Sequence, residues 1–249
     1  MGATSRERYA VVSCHVERPL DDAVWAHFSA LQRRCPGGFR VAALMRPADL
    51  AFGEDESAWL VRAGEAAAHG PLGHHTHWTA PDHARPTSGA PRERVLAEGA
   101  RFRELGLAPR LFCGGGWYAD IEVAEACAEL GYVDCTSRAA RPPYLPPGER
   151  WASLTAPSVL ELPSGRTLGA IPTTHSLGDL ARALRRRVFP DLVHVYFHDT
   201  DLLDRRRRVL LGLVLRLLAR RARVSDLDAL AARTLPAARH VVWDDVARL

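Results

Sequence analysis

The chain has 249 residues, and its 33 basic residues, all of them arginine, face 29 acidic ones, which gives a net charge of +4. The absence of lysine excludes Schiff-base chemistry and Walker-type nucleotide hydrolysis, because both need a lysine side chain. So small a net charge, in a chain with 47% hydrophobic residues, favours a globular protein without a nucleic-acid partner.

Two further features bear on the compartment. The sequence has no apolar stretch of the roughly 20 residues that a transmembrane helix needs, and its first residues lack the apolar run of a signal peptide. The five cysteines form no CxxC pair and leave one over, a pattern typical of reduced thiols. We therefore expect a cytoplasmic protein that folds as a single domain over residues 1–249.

Short apolar runs alternate with amphipathic stretches, which predicts repeated strand–helix units. The predicted strands cover 9–16, 39–45, 72–77, 110–113, 132–135, 192–197 and 240–243. The predicted helices cover 20–34, 56–69, 92–105, 120–130, 177–188, 202–222 and 226–233. The remaining predictions are a polar loop over 79–91, a surface loop or lid over 138–157 and a hairpin over 158–171. Because no GxGxxG turn is present, the pattern favours a barrel-like α/β fold over a dinucleotide-binding sheet.

Histidines cluster where the third predicted strand ends, in the segment GHHTHW. In an extended chain, His75 and His77 point to one face and His74 to the other. Two imidazoles on one face are suitable zinc ligands, although a solvated cluster in a loop gives the same pattern. Trp78, which follows them, is a candidate wall of the pocket or a core residue.

Two other strand ends carry chemistry. In SCHVE, His15 and Glu17 are two residues apart and share a face, as a base and a carboxylate ligand would, unless Glu17 faces solvent. In HVYFHD, His198 ends an apolar strand and is a candidate general acid, with Asp199 or Asp201 to orient it.

Three more residues are candidates for contact with substrate. Trp117 and Tyr118 follow three glycines and have rings suited to stacking on a sugar, or to packing under the rim of the fold. His175 precedes a predicted helix.

These motifs, in this order, resemble those of the polysaccharide deacetylase (NodB-homology) family over roughly residues 9–230. The segments that carry the resemblance are SCHVE, GHHTHWT, PRLFCGGGWYAD followed by ACAELGYVDCTS, and HVYFHDTDLL. The resemblance implies a distorted, open (β/α) barrel of about seven strands with a divalent metal, usually zinc, at its mouth. It also implies that His75 and Glu17 are metal ligands and that His198 is the general acid.

Three positions depart from the family pattern. His15 stands where the family has its catalytic-base aspartate, so it becomes the base or an additional ligand. Thr79 stands where the second metal-binding histidine would fall, so either His77 replaces that histidine or the ligand set is incomplete. Cys113 stands where an arginine often orients the base.

The resemblance leads us to expect a zinc-dependent hydrolase that removes an N-acetyl group from an amino sugar or a glycosylated small molecule. The alternatives are a carbohydrate-binding pseudoenzyme on the same fold and a hydrolase of another C–N bond. We favour an enzyme, because the five candidate ligands and bases remain chemically competent. Arginines flank the apolar stretch 209–215, and we expect a solvated outer helix there rather than peripheral membrane contact.

Overall fold

The computed structural model describes residues 7–87, 89–186 and 188–248 and shows a mixed α/β protein. Its strands are β1 (Tyr9–Val16), β2 (Ala42–Met45), β3 (Leu72–Thr76), β4 (Leu111–Gly114), β5 (Val133–Asp134), β6 (Trp151–Ala152), β7 (Ser158–Glu161), β8 (Thr167–Ala170), β9 (His175–Ser176), β10 (Leu192–His198), β11 (Arg223–Val224), β12 (Arg239–Val242) and β13 (Ala247–Arg248). Its α-helices are α1 (Asp22–Arg34), α2 (Glu56–His69), α3 (Pro91–Glu104), α4 (Ile121–Leu130), α5 (Leu177–Arg186), α6 (Arg205–Ala219), α7 (Leu227–Thr234) and α8 (Trp243–Val246).

The central sheet is mostly parallel. Its strand order is β12-β7-β8-β5-β4-β3-β2-β1-β10-β9, with β11 beside β1. Only the β7–β8 hairpin is antiparallel within it, and β6 and β13 form a separate antiparallel pair. After β8 the chain bonds to strands on both sides, since Ile171 N donates to Asp134 O at 2.8 Å and Thr174 N donates to His194 O at 3.0 Å.

Burial on both faces explains why the central strands β1, β2 and β10 are largely apolar. Every residue of β1 after Tyr9 is buried, because helices cover one face of the parallel sheet and inward side chains fill the other. In parallel strands the carboxyl ends meet at one edge, and here β1 pairs His15 with His198 while β3 pairs His75 with Cys113. The register therefore brings the predicted site residues to one edge of the sheet.

Several element bounds agree with the sequence predictions and others shift for local reasons. The bounds of β1 and α2 are confirmed, whereas α1 begins at Asp22 because the Asp21 carboxylate accepts from Ala23 N and Val24 N. The strand predicted from residue 39 begins only at Ala42. The helix predicted to 188 ends at Arg186, and residue 187 lies outside the described residues.

Two regions differ more from expectation. The predicted surface loop over 138–157 contains β6, and its Leu145 and Trp151 are buried, so it is partly core. The basic helix α6 buries one apolar face but leaves Val209 and Leu213 exposed among its arginines. No helix within the described residues combines the length and apolar content that crossing a bilayer requires.

A close approach between β3 and the triple-glycine turn depends on Gly115. A Cβ atom at this position would lie 2.4 Å from Ala84 O, 2.5 Å from Thr76 O and 3.2 Å from the His77 ring. Only a residue without a side chain fits there, so the turn after β4 is held against the histidine segment.

We predict opposite effects of adding one methyl group at two glycines. Gly115→Ala forces the backbone of Ala84 or Thr76 to move and lowers the free energy of unfolding by about 1–3 kcal/mol. Gly64 lies on the exposed face of α2, where a Cβ meets nothing within 4 Å, so Gly64→Ala raises the free energy of unfolding by about 0.5–1 kcal/mol. Urea unfolding of both variants measures the difference, and a Gly115→Ala protein as stable as the parent would contradict the close approach.

Candidate metal centre

Glu17 is the centre of a histidine cluster at the carboxyl edge of the sheet. Its Oε1 atom lies 3.6 Å from His75 Nε2, 3.4 Å from His77 Nε2 and 3.6 Å from His198 Nε2. The ends of β1, β3 and β10 supply these side chains. Glu17 therefore lies within the cluster and does not point into solvent, since only 24% of its side chain is exposed.

The protons of the two buried imidazoles point away from Glu17. His75 Nδ1 lies 2.8 Å from Cys113 O, and His77 Nδ1 lies 2.6 Å from Pro81 O. A carbonyl oxygen only accepts, so each Nδ1 carries the hydrogen and each Nε2 of a neutral ring presents a lone pair. Both Nε2 atoms are buried without a hydrogen-bond partner.

The charge states sharpen this arrangement. Burial lowers the pKa of His75, which favours the neutral ring at neutral pH. Burial raises the pKa of Glu17, whereas proton donation from His75 and His77 would hold that pKa below its usual range. Rings that carry their hydrogen on Nδ1 instead leave Glu17 ionised at neutral pH by the ordinary pKa of a carboxyl group. An ionised carboxylate thus faces buried nitrogen lone pairs, an arrangement that a cation stabilises.

The donor set fits zinc. Glu17, His75 and His77 each offer one ligand atom, and these atoms lie within 4.8 Å of one another. Two atoms at about 2.0–2.1 Å from one zinc ion, at the tetrahedral angle, lie about 3.3–3.4 Å apart, close to the distances from Glu17 Oε1. Imidazoles that donate Nδ1–H to carbonyl oxygens are the usual form of histidine ligands.

His15 lies beside this triad and forms two overlapping groups of possible ligands, one with Glu17 and His198, the other with His75 and Cys113. Its Nε2 is 3.6 Å from Cys113 Sγ, and its ring centroid is 4.6 Å from that of His75. Burial, reinforced by His75 and His198, holds the pKa of His15 well below its usual range. His15 is therefore a neutral imidazole, able to accept a proton or to bind a metal.

His198 is the most open member of the cluster, with 38% of its side chain exposed. Asp201 orients the His198 ring through its backbone rather than its carboxylate, since the ring accepts from the Asp201 N–H in a capping box. Asp201 Oδ2 accepts from the backbone N–H of His198, while Asp199 accepts from Arg18 N and Thr200 N. The two carboxylates fix the backbone at the end of β10 instead.

A cavity of about 390 Å³ adjoins Glu17 and His77, with Arg46 and Glu54 in its wall. A larger groove, about 530 Å³, lies between α1 and α6, but His27 is the single metal-binding side chain in its lining. The smaller cavity is therefore the better candidate for a metal site, because its lining, and not its volume, offers suitable ligands.

Three residues from the sequence analysis lie apart from the cluster. Trp78 points to the opposite face from His77, packs in the core against Tyr118 and donates its indole N–H to Gly115 O. The Tyr118 hydroxyl donates to Asp120. The Thr79 hydroxyl bonds to that of Thr87, so His77, not Thr79, joins His75 and Glu17.

Two other candidates lie nearer. Trp117 has its ring centroid 5.1 Å from that of His15, and its backbone has a φ of 59°, a left-handed conformation that is costly for a bulky residue. His175 lies on β9, beside β10, with Nδ1 2.7 Å from Thr174 Oγ1. Trp117 therefore adjoins the cluster, whereas His175 lies on the strand next to β10.

Arg138 was not among the residues predicted from the sequence, yet it lies close to the cluster. Its guanidinium lies 4.4 Å from the Trp117 ring and 5.0 Å from the Tyr196 ring, and both rings contact His15. Arg138 follows β5, so the rule that strand ends carry the site would have pointed to it.

Comparisons with known proteins give a likeness of fold. Neither protein-family models nor curated protein sequences give a match. Among solved structures, 4-alpha-glucanotransferase from Thermococcus litoralis is similar with a TM-score of 0.58 and 11% sequence identity. The match covers 94% of this chain but 40% of that one, and at this identity it shows the fold alone.

We predict that the purified protein binds one Zn²⁺ or Co²⁺ ion per chain. His75→Ala, His77→Ala and Glu17→Gln should each weaken binding by more than about 100-fold, because even outer-shell changes at metal sites cost about 10- to 100-fold. Metal titration after chelator treatment, followed by the visible spectrum of Co²⁺, measures this.

His240→Ala is the matched control, since His240 is exposed and pairs with Glu161 at the other end of the sheet. Its metal affinity should equal that of the parent. Unchanged affinity in folded His77→Ala would contradict the proposed ligand set.

Proposed function

We propose that this protein is a zinc-dependent hydrolase that removes an N-acetyl group from an amino sugar or a glycoconjugate. The observation that carries the proposal is the convergence of the His75 and His77 lone pairs on the ionised Glu17 carboxylate, beside His15 and His198. Glu17, His75 and His77 would hold the ion. Zinc, when bound, acts as a Lewis acid toward a carbonyl group and lowers the pKa of water.

His15 would be the general base. Its ring is neutral at neutral pH because burial keeps its pKa low, so a ring nitrogen is free to take a proton, with less basicity than an exposed imidazole has. In the family that the sequence resembles, this position holds an aspartate and the position of Cys113 often holds an arginine. Burial raises the pKa of the Cys113 thiol well above its usual range. An ion pair in the family thus corresponds here to two uncharged groups 3.6 Å apart, so the local charge balance is unchanged.

His198 would be the general acid, because it is the exposed member of the cluster and its ring centroid lies 5.2 Å from that of His15. In amide hydrolysis, the water oxygen bonds to the acetyl carbon and the C–N bond breaks. One proton passes from water to His15, and one passes from His198 to the departing amine nitrogen. The products are acetate and the free amino sugar.

The proposal extends to the architecture of the fold. We propose a seven-stranded barrel in which residues 167–176 serve as one interrupted strand between β5 and β10. Hydrogen bonds from Ile171 to Asp134 and from Thr174 to His194 support this reading. The similarity of fold to a glucanotransferase also favours a sugar substrate, as does the family resemblance.

We predict that the zinc-loaded protein releases acetate from one or more N-acetylated amino sugars. His198→Ala should lower kcat about 100- to 10,000-fold, the usual contribution of a general acid, while zinc content stays the same. Acetate is measured by a coupled assay and zinc by elemental analysis of the same samples.

His240→Ala again serves as the control and should keep full activity. Loss of zinc from His198→Ala would make His198 a ligand rather than the acid. Sugar binding without acetate release would favour a pseudoenzyme, and turnover of a ureide such as allantoin instead would favour a hydrolase of another C–N bond.

A further inference from the structure

Arg138 is a buried cation without an acidic partner. Its exposed fraction is 8%, and its Nε and Nη1 atoms are buried without a hydrogen-bond partner. Within the described residues it forms no ion pair. A buried guanidinium that lacks an anion is costly, because burial removes its hydration, and here only two aromatic rings and the Tyr196 hydroxyl replace it among the described residues.

The neighbouring groups do not supply the missing negative charge. Burial raises the pKa of the Cys113 thiol and of the Tyr196 hydroxyl, so both stay protonated at neutral pH. Burial lowers the pKa of His175 and of His194, so both stay neutral. The Asp134 carboxylate accepts from the backbone of Thr136 and Ser137 and from the Ser137 hydroxyl instead.

The fold nevertheless fixes Arg138 firmly. Its backbone N–H donates to Ala152 O at 2.9 Å, and its carbonyl accepts from Leu154 N at 2.9 Å. The planar guanidinium lies over the rings of Trp117 and Tyr196, as arginine prefers. Trp117 is held there although its backbone adopts the unfavourable left-handed conformation.

The same two rings connect Arg138 to the candidate metal centre. The His15 ring centroid lies 5.1 Å from that of Trp117 and 5.4 Å from that of Tyr196. A group bound to the guanidinium is therefore separated from His15 by one aromatic side chain. Two aromatic rings beside a cation suit a sugar that carries an anionic substituent, since one part stacks and the other forms charged hydrogen bonds.

We propose that Arg138 is a substrate-binding residue that recognises a carboxylate or phosphate group on the sugar. The proposal rests on the proposed function and deepens it by naming the class of substrate: an N-acetylated amino sugar that is also an anion. The anion would pair with the free N–H groups of Arg138 while the acetamido group lies at the histidine cluster.

Binding of three probes tests this without relying on turnover. Calorimetry on the full-length, zinc-loaded His198→Ala protein compares neutral N-acetylglucosamine with N-acetylglucosamine 6-phosphate and with N-acetylmuramic acid, which bears a carboxylate. At least one anionic probe should bind about 10- to 100-fold more tightly than the neutral one, the effect of hydrogen bonds to a charged group. Comparison of the affinities for the phosphate-bearing and the carboxylate-bearing probe shows which anion the site prefers.

Adding Arg138→Gln should abolish that preference and change affinity for the neutral probe less than about threefold. Arg220→Gln, which removes the same charge from the exposed end of α6, should leave all three affinities unchanged. If Arg138→Gln fails to fold, Arg138→Lys, which keeps the charge but loses the planar fork, should retain part of the preference.

Two results would overturn the proposal. One is equal affinity for neutral and anionic probes in the protein that retains Arg138. The other is an equal loss for all three probes in folded Arg138→Gln, which would make the residue structural. An anion preference without acetate release from any substrate would remove the proposed hydrolysis and leave the anion site in place.

Discussion

Three proton acceptors that face one another are the constraint on which this structure depends. Glu17 is ionised, and the Nε2 atoms of His75 and His77 carry lone pairs, because their Nδ1–H groups donate to the carbonyls of Cys113 and Pro81. Each of those carbonyls belongs to a separate segment, one on β4 and one in the loop after β3. The cluster therefore exists only when three parts of the chain hold their positions, and any cation that binds it stabilises the folded state.

The strand β3 is fixed from its other face. His74 Nε2 lies 2.7 Å from Glu98 and 2.9 Å from the Thr76 hydroxyl, and its ring packs among Phe102, Phe112 and Tyr132. This polar network sits outside the sheet, against α3, and is nearly closed to solvent. Alternation along one strand thus gives a structural histidine on one side and two candidate ligands on the other.

How much the sequence predicts depends on whether a feature is local. The bounds of β1 and α2 follow from local periodicity and capping, and the alternation of His74, His75 and His77 follows from the geometry of a strand. Trp78 follows this strand and packs in the core, which is one of the two alternatives that the sequence left open. The position of Arg138 after β5 could be found from the sequence, but its burial could not, because that depends on Trp117 in the turn after β4 and on Tyr196 of β10.

The positions at which this sequence departs from the family that it resembles form a consistent set once their charges are compared. Where the family carries an acidic base and an arginine, His15 and Cys113 are both neutral, so neither creates a buried charge that the other must balance. Arg138 nevertheless places a cation near His15, and an aromatic ring separates the two side chains. An arginine paired inside the protein is unavailable to a ligand, whereas an arginine without a partner keeps its hydrogen-bonding capacity for one. In the proposed function, Cys113 on β4 would replace the arginine that orients the base in the family. Arg138, which follows β5, would instead be the cation that recognises the substrate.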